Sequence, residues 1–135
     1  MLMAFDAPAR EECTASRESS NTPQQALNLL NDPTFVESAR VFAEDLIASE
    51  KAFPARLDAA FQRLLNRAPP PEERALLTPL YTKQLARYKA QPDDAKSLLG
   101  VGLQPAGSDS DPAELAATTA ITRVLLNLHE TITRY

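Results

Sequence analysis

One cysteine, one histidine, three glycines and no tryptophan leave this chain of 135 residues with few of the groups that metal and thiol chemistry needs. A single thiol, Cys13, excludes an internal disulfide and any multi-cysteine metal centre. It also excludes the haem-attachment motif Cys-x-x-Cys-His. His129 is the one histidine and nothing in the sequence shows it reaching Cys13, which therefore reads as a small buried residue rather than a nucleophile. His129 stands next to Glu130, but a zinc-protease helix needs a second histidine, so no metal site is expected. An excess of positive charge is also missing. Fourteen Lys and Arg face eighteen Asp and Glu, a net charge of −4. The cations are interleaved with acids, which leaves no basic stripe for phosphates and no expected nucleic-acid partner. No apolar run approaches the roughly 20 residues that cross a bilayer, so no membrane span is expected. Met1-Leu2-Met3-Ala4-Phe5 is too short for a signal-peptide core and lacks a basic region before it.

What the chain does have is proline, eleven in all. Six segments open on a proline or on a capping residue followed by one, and proline suits the first helical turn because its missing amide would be unpaired there. Thr22-Pro23 predicts a short helix through Leu30, with Ala26, Leu27 and Leu30 on one side. Asp32-Pro33 predicts a longer one to about Ser49, in which Phe35, Ala39, Phe42 and Leu46 recur at helical spacing, flanked by Val36, Ala43 and Ile47. Phe53-Pro54 opens a third, with Leu57, Phe61, Leu64 and Leu65 on its apolar face. After Ala68-Pro69-Pro70-Pro71 a fourth runs to about Lys89, burying Leu76, Leu77, Leu80, Tyr81, Leu85 and Tyr88 and kinked at Pro79. Pro92-Asp93-Asp94 starts a fifth that ends at Gly100. Asp111-Pro112 caps a last one that continues to near the C-terminus with Leu115, Ile121, Val124, Leu125, Leu128 and Ile132.

No segment alternates polar and apolar residues as a strand does. The expected fold is therefore all-α: about six helices in one compact bundle, a single helical domain over residues 1–135. Residues 1–20 are expected as an irregular segment packed on the bundle, with Phe5 as a packing residue. Residues 101–110 are expected as a flexible loop.

The densest collection of polar groups is Arg17, Asn21, Asn28 and Asn31 in the stretch Cys13–Pro33, with Asn127 and Glu130 near the other end. Two readings are open. In one, Arg17, Asn21, Asn31, Asn127 and Glu130 form a binding pocket in which arginine and amides hold a carboxylate, a sulfate or sugar hydroxyls, with Glu130 as acid–base candidate. In the other, Asn21 or Thr22 caps one helix, Asn31 or Asp32 caps the next, and Arg17 pairs with Glu130 to hold down the N-terminal segment, with Asn127 bonding nearby backbone. The acid pairs Glu72-Glu73 and Asp93-Asp94 lie at expected helix starts, and adjacent helical residues do not face each other. Like Glu11-Glu12, they read as solvated faces.

The segments Phe5–Pro8, Cys13, Arg17, Asn21-Thr22-Pro23, Gln25-Ala26-Leu27 and Leu30-Asn31-Asp32-Pro33 carry a resemblance. It continues through Phe35, Val36, Glu37 and Ala39, then Ala60, Phe61, Leu64, Arg67, Pro69 and Glu73, and closes with Leu125, Leu126, Asn127, Glu130 and Arg134. On these motifs the chain resembles the C-terminal domain of unknown function that closes large planctomycete-type proteins, often alongside cytochrome-c-like modules. It departs at Gln24, where that family usually has leucine. The upstream modules are absent, so the chain looks like the terminal piece alone. The resemblance implies an extracytoplasmic setting and supplies neither a reaction nor catalytic residues.

Together these readings favour a non-catalytic helical interaction or structural module, without a cofactor, whose partner is another protein or the missing upstream domains. They point away from an enzyme for this chain alone. Such a module is expected to expose an apolar patch where the N-terminal segment and the first helix lie. The alternative is part of an enzyme or carbohydrate-binding site built on the Arg/Asn/Glu cluster.

Overall fold

The computed structural model describes residues 23–107 and 110–132. Cys13, Arg17, Asn21 and the expected packing of Phe5 lie outside the described residues. Among the described residues there is no strand, and seven helices follow one another: α1 (Pro23–Asn31), α2 (Pro33–Ser49), α3 (Phe53–Leu65), α4 (Pro71–Ala90), α5 (Pro92–Leu99), α6 (Pro112–Leu126) and α7 (His129–Ile132). The all-α expectation is met. Proline occupies the first or second position of α2 to α6. Two starts carry side-chain caps as well: Asp32 Oδ1 accepts from Thr34 N at 2.9 Å, and Asp111 Oδ1 from Ala113 N at 3.2 Å.

The centre of the fold is α6. Residues Leu115 to Thr119 are buried in unbroken succession, and Ala113, Ile121, Thr122 and Leu125 are buried with them. A helix buried on nearly every side needs small residues where neighbours cross, and the run Ala116-Ala117-Thr118-Thr119 supplies them. The threonine hydroxyls stay paired by bonding back along the helix, Thr118 to Glu114 O and Thr119 to Leu115 O, each at 2.8 Å. Thr122 reaches Ala39 O of α2, also at 2.8 Å, and stitches the two helices together where Ala39 and Ala43 let them approach. On the opposite side α4 contributes Leu77, Tyr81 and Tyr88, with the Tyr81 ring stacked on Phe53 at 3.8 Å and 7°.

Several expected faces are shifted. In α2 the inward line is Val36, Ala39, Arg40, Ala43 and Leu46, while Phe35, Phe42 and Ile47 flank it. In α1 the buried leucine is Leu29, and Leu27 is 60% exposed. In α4 the stripe of Leu77, Tyr81 and Tyr88 leaves Leu76 on the other face, 74% exposed. The last helix does not run on to the C-terminus. It breaks after Leu126, where Asn127 N and Leu128 N take tightened bonds to Val124 O and Leu125 O. Thr131 Oγ1 donates to Leu125 O at 2.7 Å, which satisfies an end carbonyl and folds α7 back.

Candidate functional site

The most elaborate polar arrangement lies where α2 meets the segment between α5 and α6. Glu37, Arg40 and Glu44 are spaced three and four residues apart, so one face of α2 presents all three. Arg40 is 1% exposed. Its guanidinium donates to Glu44 Oε1 at 2.7 Å, to Gln104 O at 2.6 Å and to Pro105 O at 3.3 Å, and Glu37 lies 3.8 Å away. The carboxylates complete the attachment. Glu37 accepts from Leu103 N at 3.1 Å and Gln104 N at 2.8 Å, and Glu44 accepts from Gly107 N at 3.1 Å. The two loop amides hold the Glu37 carboxyl below its ordinary range, with a smaller contribution from Arg40 and against some desolvation. A buried cation is tolerable because carboxylates and carbonyls surround it; among the described residues only its Nε lacks a partner.

The loop can lie this close because of Gly102. Its φ is +109°, and a Cβ there would fall 2.6 Å from the Glu37 carboxyl carbon. The expected flexible loop is thus, over residues 102–107, a backbone fastened at five points to α2. On it stands Leu103, fully exposed at 100%. Beside Leu103 is a cleft of about 490 Å³ lined by Leu99, Pro105, Ala106, Pro112 and Leu115, with Lys96 as its charged side chain. Gln104 borders a second hollow, about 420 Å³, lined by Thr34, Ser38, Val41, Phe42 and Asp45. The loop is a ridge between two concavities.

Of the residues expected from sequence to form a polar cluster, Asn31, Asn127 and Glu130 are among the described ones. Arg17 and Asn21 lie outside the described residues. Asn31 Nδ2 donates to Leu27 O at 3.0 Å, closing its own helix, and Asp32 caps the next. Asn127 ends α6, with its Oδ1 buried and unpaired among the described residues. Neither concavity is lined by Asn31, Asn127 or Glu130. Glu130 is held by Arg67, whose Nη2 lies 2.8 Å from Glu130 Oε2. Arg67 also takes both oxygens of Glu73, each at 3.0 Å, and lies 5.2 Å over the Phe61 ring. Hydrogen bonds to Glu130 and then Glu73 raise the Arg67 pKa, and in return Arg67 holds the Glu130 carboxyl below its ordinary range. A carboxylate so held is ionised at neutral pH and has no proton to deliver as a general acid.

A third arginine, Arg56, is buried on α3. It donates to Glu50 O at 2.7 Å, Lys51 O at 2.8 Å and Glu114 Oε1 at 2.7 Å, tying the α2–α3 turn to α6. Sequence reasoning missed Arg40 and Arg56 as buried groups. Each stands among alanines, leucines and phenylalanines at a position the apolar face needs, and that was the available signal. Their partners are largely backbone carbonyls, which no side-chain pattern reveals.

Fold and site together define a helical bundle in which arginines fasten loops, turns and helix ends to one another. The chain belongs to the PSD1 family, described as a protein of unknown function (DUF1553), whose pattern matches residues 1–81. No curated protein and no solved structure matches it. The match ends inside α4, so the pinned loop and α6 lie beyond the matched stretch.

Proposed function

We propose that this chain is a non-catalytic interaction module, one helical domain over residues 1–135, that docks another protein through the loop between α5 and α6. The observation that carries the reading is Leu103: a fully exposed leucine on a backbone fixed by Glu37, Arg40 and Glu44. Apolar surface gains about 25 cal/mol per Å² when removed from water. A side chain on an already ordered backbone keeps more of that gain, because little chain entropy remains to be lost on binding. The cleft beside it would receive a reciprocal apolar side chain. In the planctomycete-type proteins that the chain resembles, the partner would be a preceding, cytochrome-associated module in an extracytoplasmic setting.

The test is hydrogen exchange on the chain alone and mixed with the preceding module of a longer family member. The reading expects slower exchange at residues 101–107 on mixing, abolished by Leu103→Asp. Binding that leaves these amides unchanged, or no binding at all, overturns it.

A further inference from the structure

We propose that the loop between α5 and α6 is a proton-released strap: protonating Glu37 detaches residues 102–104 from α2 and withdraws Leu103 from the surface it forms. The inference rests on the interaction reading for its use, since it names how that same surface would be regulated. Its physics stands on the loop alone.

The sequence Val101–Gly107 contains no titratable side chain, so the attachment responds to pH only through α2. Three of its five bonds are backbone N–H groups donating to carboxylate oxygens. Protonating Glu37 weakens the acceptors of Leu103 N and Gln104 N and places a new O–H donor opposite them. The same protonation strips Arg40 of one of its two neighbouring negative charges while the guanidinium is still dry. Water must then reach it. On one side α2 is packed against α6 through Ala39 and Thr122, so the loop is the side that yields.

The surrounding charges do not substitute for the Glu37 carboxylate, and Glu44 is itself engaged by Arg40 and Gly107 N. On α2 the remaining acid near Glu37 is Asp45, which lines the second hollow with it. From α5, Lys96 borders the far side of the loop. From α6, Glu114 is engaged by Arg56, and Arg123 donates to Leu30 O. From α3, Asp58 pairs with Arg74 and Arg63 donates to Ser49. The described part of α1 has no charged residue. Because loop amides lower the Glu37 pKa in the folded state, the strap is stable above the ordinary carboxylate value of 4.5 and is lost as pH falls through the lower, folded value.

The experiment is an NMR titration of the whole chain from about pH 7 to about pH 3, following amides and glutamate carboxyl carbons. The Leu103 and Gln104 amides should shift together with the Glu37 carboxyl, with a midpoint below 4.5, and lose protection while α6 amides keep theirs. Glu37→Gln should deprotect Leu103 and Gln104 at neutral pH with helicity unchanged. Loop amides that stay protected until α2 and α6 melt together would overturn the proposal, as would shifts that ignore Glu37. The wild-type titration decides the matter even where the variant fails to fold. No partner is present in it, so a strap that titrates as described while the preceding module never protects it would sink the docking reading alone.

Discussion

Arg40 and Arg67 each bridge two carboxylates, but Arg40 does so under a loop and Arg67 within reach of water. Arg40 also holds two carbonyls, and its carboxylates hold three loop amides in turn. Among the described residues Arg67 joins side chains only, apart from a long 3.4 Å contact to Ala68 O, and it links the end of α3 to the start of α4 and to α7. The difference teaches what a surface ion pair lacks. Arg67 has charge partners and an aromatic face, but water competes for each of them. At Arg40 the competing solvent is gone, so removing the cation would leave carbonyls and carboxylates facing one another.

The sharpest way to break the comparison is therefore at Arg40. Arg40→Met should destabilise the fold by about 3 kcal/mol, the low end for breaking a buried pair, because Glu37 and Glu44 are themselves partly exposed and can rehydrate. Urea denaturation would measure it. Gly102→Ala comes next. The positive φ alone costs about 1–2 kcal/mol, and the new Cβ also displaces Glu37, so the loss should appear in the melt and in faster exchange at Leu103 and Gln104.

At Arg67 the effect should be smaller. Arg67→Gln is expected to cost under about 1 kcal/mol, and 1 M salt should erase most of it by screening while leaving the Arg40→Met loss largely intact. Thermal melts of both variants at two salt concentrations would decide. The smallest effect concerns pH. Arg67 lowers the Glu130 pKa in the folded state, so the stability this pair adds is present above 4.5 and lost as pH falls through the folded value. The Tm difference between wild type and Glu130→Gln should shrink to nothing across that window.

Helix positions were legible because proline marks most starts and its reason is local: one missing amide and one fixed φ. Asp32 and Asp111 added caps that a reader of sequence can name. Which face turns inward was less legible. In α2 the apolar residues span more than half the circumference, so Phe35–Phe42 and Val36–Ala43 were equally periodic. The choice fell to how closely alanines let α6 approach. The central place of α6 was there to be read in Ala116–Thr119, a stretch with no charge and no bulk. The candidate site was hardly legible, since its bonds join α2 side chains to loop backbone more than sixty positions away. Glu130 was picked out, but its partner among the described residues is Arg67. Both had stood in the resemblance as separate motif positions.

The stitch from Thr122 to Ala39 crosses 83 positions, and Arg123 reaches back still further to Leu30. Because α6 completes the core, the faces of α2, α3 and α4 that meet it stay wet until α6 itself has left the ribosome. Until then Leu46, Leu57 and Phe61 are exposed to neighbouring nascent chains. A fragment ending within α4, where the family match stops, would carry that exposure permanently, as a sticky half-bundle in need of a chaperone.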